Sequence, residues 1–271
     1  MICNNCPHNC DIPEGGAGLC HARSCQNDKI VCDNYGHVTS LALDPIEKKP
    51  LARFFPGTKI LSVGSYGCNM RCMWCQNDSI SRGYVDADRL DAEEVVDIAL
   101  DTKERGNIGI AYTYNEPSVG YEFVRDCAVL AQKRDLINVS VTNGMLANDR
   151  FCELLPYIDA YNIDLKTGIG SKYDSIGGDI DLIEQNIESA HRYGRHIELT
   201  TLVVPSFNDD EDDFTRIVDY IASVDLHIPL HITRFFPAGD MKGAAPTELG
   251  ILYRFRQIAE EKLKYVYLGN V

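Results

Sequence analysis

The sequence predicts an α/β protein, a partial barrel of about six β/α units preceded by a small cysteine-rich lobe. Short apolar runs rich in β-branched residues alternate with amphipathic helical segments from about residue 58 onward. Nine of the 11 cysteines lie within the first 75 residues, in a segment that is turn-rich. A chain of 271 residues can bury a sizeable core, and α/β barrels of this length are often one domain.

Seven apolar runs are the candidate strands, and their composition suits strands that are buried on both faces of a parallel sheet. They cover residues 59–66, 108–114, 137–142, 160–165, 196–204, 228–235 and 265–268. Repeated strand–helix units imply right-handed crossovers and therefore a parallel sheet. Six such units and a last strand predict a barrel that is open on one side, with its chemistry at the carboxyl ends of the strands.

The helices have recognisable starts. Asp91 and Glu94 form a capping box pattern, and Pro117 stands where the first helical residue tolerates proline, opening a helix to about residue 132. The acidic run 209–213 is interpreted as a solvated helix start, where the helix dipole favours carboxylates, rather than as a metal site.

Composition and charge exclude some classes of partner. The 26 basic and 40 acidic residues give a net charge of −14, which disfavours nucleic acid and anionic membranes as partners. No apolar run is long enough to span a bilayer, and the amino terminus lacks the pattern of a signal peptide. We expect a cytoplasmic protein that has residues 1–57 as a cysteine-rich lobe and residues 58–271 as the barrel.

The cysteines are the most informative residues. In a reducing compartment, clustered cysteines are more often metal ligands than disulfides. Cys127 and Cys152 stand alone in helical patterns, and both are predicted to be small core residues.

Cys68, Cys72 and Cys75 form a C-x3-C-x2-C motif directly after the first barrel strand. A cubane cluster needs one thiolate per iron, so three cysteines leave one iron free to chelate the amine and carboxylate of a small molecule. The alternative is a zinc site with its fourth ligand elsewhere in the chain. Because the motif follows an apolar strand and β/α units follow it, we favour a [4Fe–4S] cluster.

These residues also carry a family resemblance. Residues 67–77 read Gly-Cys-Asn-Met-Arg-Cys-Met-Trp-Cys-Gln-Asn and resemble the branch of the radical S-adenosylmethionine (SAM) superfamily around pyruvate formate-lyase activating enzyme. Cys-x2-Cys-Pro at 3–7, Gly-Leu-Cys at 18–20 and Asp-Pro-Ile-Glu-Lys-Lys-Pro at 44–50 resemble the AmmeMemoRadiSam system radical SAM enzymes. The resemblance spans nearly the whole chain.

The resemblance implies the radical SAM type of barrel and a metal-binding oxidoreductase. In the family, a reduced [4Fe–4S] cluster cleaves SAM to methionine and a 5′-deoxyadenosyl radical, which abstracts hydrogen from the substrate. The implied partners are an unidentified small-molecule or protein substrate and an electron donor such as flavodoxin or ferredoxin. No catalytic residue is assigned beyond the cluster.

Six residues match positions that contact SAM in the family. They are Trp74, which matches a position near the adenine; Glu116, which aligns with the glutamate of a Gly-Gly-Glu motif; Thr142 and Asn143 of a Thr-Asn-Gly motif; and Asp164 and Lys166 of an Asp-Leu-Lys motif. The alternatives are a core tryptophan, a helix-start carboxylate at Glu116 and a buried ion pair without a cofactor role.

The chain departs from the family pattern at several of these strand ends. Tyr114 and Asn115 replace the two glycines before Glu116, so the width of the pocket is an open question. The pair Thr200 and Thr201 stands where the activating enzymes have an arginine. The sixth strand carries phenylalanine where a histidine is expected, and Arg234 or His231 are candidates to compensate.

Cys3, Cys6, Cys10 and Cys20 supply four thiolates, enough for a closed zinc site or for an auxiliary iron–sulfur cluster. Cys25 and Cys32 are further candidates. The cysteine spacing does not distinguish a zinc ion from an iron–sulfur cluster. The resemblance of this segment to a structural zinc knuckle favours zinc. A disulfide framework ranks third.

The leading prediction is thus a radical SAM enzyme acting on an unidentified substrate. One alternative is an activase that generates a glycyl radical on a partner protein. Another, from a different class, is a non-catalytic iron–sulfur or zinc protein, which would leave the Asp164 and Lys166 pair unexplained.

Overall fold

The computed structural model describes residues 1–271 and contains twelve strands and eight helices. The strands are β1 (Arg23–Cys25), β2 (Ile30–Cys32), β3 (His37–Val38), β4 (Ser40–Pro45), β5 (Lys59–Gly64), β6 (Asp88–Arg89), β7 (Asn107–Tyr112), β8 (Ile137–Thr142), β9 (Ala160–Asp164), β10 (His196–Val203), β11 (Leu230–Arg234) and β12 (Val266–Gly269). The helices are α1 (Asp78–Ser81), α2 (Ala92–Asp101), α3 (Tyr121–Lys133), α4 (Asn148–Leu154), α5 (Gly170–Ser175), α6 (Ile180–Arg192), α7 (Glu211–Val224) and α8 (Leu249–Glu260).

One eight-stranded sheet organises the chain, in the order β12-β11-β10-β9-β8-β7-β5-β4. The seven strands from β5 to β12 in this order are parallel, and β4 is antiparallel to β5 at the edge. All seven predicted barrel strands form, each within two residues of its predicted ends. The prediction of an α/β fold built on a parallel sheet is therefore confirmed.

The helices cover the outer face of the sheet. Apolar side chains on this face of the sheet and on the buried faces of the helices form one hydrophobic cluster. Within this cluster Phe214 of α7 stacks on Phe255 of α8, with 4.1 Å between the ring centroids. The predicted capping box forms at α2, where Asp91 accepts from the Glu94 amide and the Glu94 carboxylate accepts from the Asp91 amide.

Three local predictions need correction. A 3-10 turn occupies Pro117–Gly120, and α3 begins only at Tyr121. Cys127 is buried as predicted, but Cys152 is exposed because it lies on the solvent side of α4. Asp213, in the acidic run predicted to be solvated, is fully buried. The Thr167 hydroxyl and the Gly168 amide donate to its carboxylate and compensate for the loss of water.

The predicted lobe at 1–57 also contributes to the barrel. Strand β4 forms the antiparallel edge of the sheet, and the segment after it crosses the amino end of the barrel. There Ile46 and Leu51 are fully buried, and the Pro50 carbonyl accepts from the Asn162 side chain of β9 at 2.9 Å. None of the helices combines the length and hydrophobicity needed to cross a membrane.

Candidate functional site

The loop that follows β5 carries Cys68, Cys72 and Cys75 at the carboxyl end of the sheet. Gly67 precedes it with a φ of 90°, a conformation that favours glycine, and an added Cβ would lie 2.6 Å from the Cys20 carbonyl oxygen. The cysteine-rich lobe therefore packs directly on the start of this loop. Arg71 strengthens the contact because its guanidinium donates to the carbonyls of Cys68 and Leu19.

Hydrogen-bond donors point at the sulfur of Cys68. The Met70 amide lies 3.4 Å from it and the Asn143 side-chain nitrogen 3.8 Å. Burial, followed by the charge of Glu116, raises the pKa of this thiol. Burial also raises the pKa of Cys72. The Lys166 ammonium opposes this shift because its charge favours the thiolate.

This donor set fits thiolate ligands of an iron–sulfur cluster, since N–H donors and a nearby cation stabilise charge on sulfur. The three thiols are close enough for Cys72 and Cys75 to affect the pKa of Cys68. Nowhere in the chain do three His, Cys, Asp or Glu side chains converge in the arrangement of a site for a single metal ion.

Glu116, Thr142 and Asn143 form one buried network. The Thr142 hydroxyl donates to Glu116 Oε1 at 2.6 Å, and the amides of Asn143 and Ser118 donate to the same carboxylate at 2.7 and 3.0 Å. Burial raises the pKa of Glu116, although these three donors oppose the shift. The carboxylate thus joins the ends of β7 and β8, and its predicted contact with SAM stays a prediction.

Asp164 and Lys166 lie at the carboxyl end of β9 and form an ion pair, with Lys166 Nζ 2.7 Å from Asp164 Oδ2. The two side chains are on the same side of the strand end, as the alternation along a strand requires. Burial opposes the charge of Lys166, but Asp164 and then Cys72 raise the pKa of its ammonium. Lys166 therefore keeps its ammonium charged beside the cysteine loop.

Trp74 is buried and belongs to the main hydrophobic cluster. Its ring lies 4.4 Å from that of Phe207, tilted by 52°. This position is next to Cys75, and the predicted contact with adenine stays a prediction.

The four amino-terminal cysteines lie near one another. Burial raises the pKa of Cys6 to about 11, with smaller contributions from Cys20 and Cys10. Burial also raises the pKa of Cys20, with smaller contributions from Cys3 and Cys10. The Cys3 amide donates to the Cys10 carbonyl at 2.9 Å.

The two further candidates in the lobe have other partners. Cys25 is hydrogen-bonded to Glu14 at 3.5 Å, and Cys32 is hydrogen-bonded to Asn34 at 3.2 Å. Burial raises the pKa of Cys32 to about 12, with a further contribution from the charge of Glu122.

The residues considered as substitutes for the missing arginine and histidine are engaged within the protein. Thr200 donates to Asn162 at 3.0 Å, and Thr201 donates to the Leu165 carbonyl at 2.7 Å. His231 bonds the buried Glu198 at 2.6 Å, and Arg234 donates to the Thr247 carbonyl at 2.8 Å. Each has a structural partner in this conformation.

Asn69 was not singled out from the sequence, although it lies within the cysteine motif. It is fully buried; its side chain donates to the Met145 carbonyl and accepts from Asn143, both at 2.9 Å. The Asn69 side chain also hydrogen-bonds Cys6, which lowers the pKa of that thiol against the effect of burial. Asn69 thus links the cysteine loop, the end of β8 and the lobe.

The comparison with protein families agrees with this geometry. Residues 62–218, more than half of the chain, match the family described as the Radical SAM superfamily. The chain is 38% identical over 275 residues to an uncharacterized protein of Methanocaldococcus jannaschii, covering 99% of this chain and 81% of that protein.

Two other relatives have named activities. A GTP 3′,8-cyclase of Peptoclostridium acidaminophilum is 30% identical, covering 63% of this chain and 53% of that protein. A 4-hydroxyphenylacetate decarboxylase activating enzyme of Clostridium scatologenes is 23% identical, covering 60% of this chain and 54% of that protein. The chain thus spans about half the length of these two proteins.

Solved structures show the same fold at low sequence identity. A domain of pyruvate-formate lyase-activating enzyme from Bacteroides vulgatus aligns with a TM-score of 0.52 and 16% identity, covering 60% of this chain and 99% of that chain. SuiB of Streptococcus suis bound to S-adenosylmethionine aligns with a TM-score of 0.61 and 15% identity, covering 76% and 48%.

Proposed function

Because the chain belongs to the radical SAM superfamily, we propose that it is an enzyme that cleaves SAM reductively and abstracts hydrogen from a substrate through the 5′-deoxyadenosyl radical. Members of the superfamily use a [4Fe–4S] cluster and SAM. In the balanced reaction, SAM, one electron and the substrate R–H give methionine, 5′-deoxyadenosine and the radical R•. A flavodoxin or ferredoxin would supply the electron.

One observation carries this proposal: polar residues from two strand ends meet the cysteine loop. Asn143, after β8, donates to the sulfur of Cys68 at 3.8 Å, and Lys166, after β9, acts on the charge of Cys72. Since the carboxyl ends of the strands are where such barrels place their chemistry, the loop and these side chains form one site.

We assign the residues as follows. Cys68, Cys72 and Cys75 would hold a [4Fe–4S] cluster, which would supply one iron without a protein thiolate for SAM binding. Lys166, kept charged by Asp164, offers its ammonium to the SAM carboxylate. Glu116 holds the Thr142–Asn143 turn in place, and Trp74 lies on the side assigned to the adenine. These side chains would orient SAM beside the partly buried cysteines.

The test is anaerobic reconstitution with iron and sulfide, reduction with dithionite and chromatography for 5′-deoxyadenosine after SAM is added. We expect 5′-deoxyadenosine from the wild-type protein and none from Cys72→Ala, which should still fold. Cys152→Ala is the matched control because that cysteine is exposed and far along the chain in α4. Normal SAM cleavage by Cys72→Ala would overturn the assignment.

A second candidate function is activation of a glycyl radical enzyme. The similarity to a 4-hydroxyphenylacetate decarboxylase activating enzyme favours it, whereas the similarity to a GTP 3′,8-cyclase favours a small-molecule substrate. The two are distinguished by electron paramagnetic resonance: an activase, mixed with SAM, reductant and a glycyl radical enzyme, produces a protein-based glycyl signal, and a small-molecule enzyme does not.

We also propose that Cys3, Cys6, Cys10 and Cys20 hold a second metal centre, either zinc or an auxiliary iron–sulfur cluster. In this conformation the four thiols do not converge around a single point, so they would have to draw together to bind the metal. The mutual effect of these thiols on their pKa values supports a shared site, as does the hydrogen bond from the Cys3 amide to the Cys10 carbonyl. Cys25 packs beside Cys3 and Cys10, whereas Cys32 is hydrogen-bonded to Asn34, and we leave it outside the site. Metal analysis of the purified protein identifies the metal. Cys6→Ser should lose it and Cys32→Ser should retain it; unchanged metal content in Cys6→Ser would contradict the site.

A further inference from the structure

Tyr114 holds an unusual backbone conformation at the end of β7. Its φ is 73°, in the left-handed region that tyrosine rarely adopts, and it stands immediately before Asn115 and Glu116. Such a residue is strained and persists only when its surroundings enforce the conformation. The structure shows what enforces it.

The hydroxyl of Tyr114 donates to Asp44 Oδ2 at 2.8 Å. Lys49 and Ser62 donate to the same oxygen at 3.0 and 2.9 Å, and Lys48 donates to the other oxygen at 3.1 Å. Burial opposes the charge of Asp44, but these donors, Tyr114 foremost, keep its pKa below the usual value. Asp44 is thus a charged, fully satisfied anchor.

The anchor lies inside the barrel. On β5 the neighbours Leu61 and Val63 belong to the cluster under the helices, so Ser62 points to the opposite, interior side. Gly64 follows on the interior side, and a Cβ added there would lie 2.8 Å from the Tyr114 ring. The ring therefore fills a space that only a glycine at position 64 leaves open, and the Lys49 ammonium lies 4.7 Å from its centroid.

Residues 114–116 are hydrogen-bonded to both ends of the cysteine loop. The Tyr114 carbonyl accepts from the Asn77 side chain at 2.7 Å, just after Cys75. The Asn115 side chain and the Glu116 amide donate to the Gly67 carbonyl at 3.1 and 3.3 Å, just before Cys68. A change in the conformation of Tyr114 would therefore disturb the hydrogen bonds at both ends of the loop that carries the three cysteines.

We infer that the Asp44–Tyr114 hydrogen bond positions the SAM site, and we call this bond the latch. Through the latch, the Asp44–Pro50 segment, which has no other functional role assigned to it, affects cofactor binding. The latch stabilises the strained backbone at Tyr114 and thereby presents Asn115, Glu116 and the cysteine loop in the conformation that binds SAM. This inference rests on the proposed function, since it requires that SAM binds beside that loop.

The test compares SAM affinity in three variants, Tyr114→Phe, Asp44→Asn and the double variant, after anaerobic reconstitution. Without the latch, the conformation that binds SAM is only partly populated, so the apparent Kd rises in proportion. We expect a roughly 5- to 10-fold increase for Tyr114→Phe, in which the hydrogen bond to Asp44 is lost. The increase for Asp44→Asn should be at least as large, because this variant also removes the charge partner of Lys48 and of the buried Lys49. Iron and sulfide analysis should show unchanged cluster content.

Non-additivity is the decisive readout. If the two residues act through one latch, the double variant binds SAM no more weakly than the weaker single variant. Tyr84→Phe, at an exposed tyrosine, is the matched control and should bind like the wild type. Thermal unfolding is measured in parallel, since a merely structural role lowers the melting temperature without changing the Kd.

The latch is overturned if Tyr114→Phe binds SAM within twofold of the wild type, or if the two single effects multiply in the double variant. A wild-type protein that assembles its cluster but does not bind SAM would overturn the proposed function instead. The two failures are therefore distinguishable in the same experiment.

Discussion

His8 and Asn69 are joined by a hydrogen bond of 2.7 Å between the imidazole Nε2 of His8 and the main-chain oxygen of Asn69. His8 lies between Cys6 and Cys10, and Asn69 lies between Cys68 and Cys72. The bond therefore connects the two cysteine-bearing segments directly. It makes the lobe a structural support of the loop proposed to hold the cluster.

Asn69→Ala should destabilise the region around this junction through the side-chain bonds of Asn69, since its main-chain bond to His8 is retained. The substitution leaves the Met145 carbonyl and the Asn143 side chain without their buried partner, and unsatisfied buried groups cost about 1 to 3 kcal/mol each. We expect the free energy of unfolding in urea to fall by roughly 2 to 3 kcal/mol, and iron incorporation at the loop to decrease. Gln185→Ala, at an exposed amide, is the control. A variant with unchanged stability and iron content would show that the side-chain hydrogen bonds of Asn69 are dispensable.

Much of this architecture is predictable from local pattern. The seven barrel strands and the capping box at Asp91 follow from periodicity and composition over a few residues, and the cysteine motif is read directly. The junctions are not predictable in the same way, because they join residues far apart in sequence. Asp44 meets Tyr114 across 70 residues and Ala52 meets Glu198 across 146, and no local signal marks either pair.

The local errors also have physical reasons. Pro117 suits a helix start, but the Glu116 side chain accepts from the Ser118 amide and a 3-10 turn precedes the helix. Asp213 is acidic and close to a helix start, yet the loop after β9 surrounds it with donors and removes it from water. At Asp213 tertiary hydrogen bonds decide the outcome against the local preference, whereas at Pro117 the deciding bond is local.

Lys166→Met should weaken SAM binding. The variant keeps the length of the side chain but removes the ammonium proposed to meet the SAM carboxylate, and a charge-assisted hydrogen bond is about twice as strong as a neutral one. We expect the Kd for SAM, measured by equilibrium dialysis after reconstitution, to rise roughly 10- to 100-fold. Lys133→Met, at an exposed lysine on α3, is the control. Unchanged SAM affinity would leave the Asp164–Lys166 pair as a structural ion pair only.

Arg23→Met should loosen the lobe from the barrel. Arg23 is almost fully buried, and its guanidinium donates to both carboxylate oxygens of Glu122 on α3 and to the Val119 carbonyl. Removing one partner of a buried pair costs several kcal/mol, and partial exposure of Glu122 reduces that to about 2 to 3 kcal/mol. The free energy of unfolding measures the loss.

The control for this prediction is Arg125→Met on the same helix. Arg125 pairs with Asp126 at 2.8 Å, but both side chains are exposed to solvent, and exposed pairs contribute at most about 1 kcal/mol. Equal losses in the two variants would mean that burial does not distinguish the pairs, and the docking role of Arg23 would be wrong.

The buried carboxylate of Glu198 should make stability depend on pH. It accepts from His196 at 2.9 Å, from His231 at 2.6 Å and from the amides of Ala52 and Arg53 at 2.9 and 2.7 Å. Burial alone would raise its pKa, but these donors outweigh burial and lower the pKa to about 2. Glu198 thus ties the segment that closes the amino end of the barrel to β10 and β11.

Because the pKa of Glu198 is lower in the folded state, its ionisation stabilises the protein above the ordinary pKa of 4.5, and this stabilisation is lost as pH falls toward 2. Between pH 6 and pH 3 we expect the wild type to lose roughly 2 kcal/mol more than Glu198→Gln, which cannot ionise. Urea unfolding at both pH values measures the difference, with Glu93→Gln at an exposed position as the control. If the gap between the wild type and Glu198→Gln is the same at both pH values, the charge of Glu198 does not hold this end of the barrel.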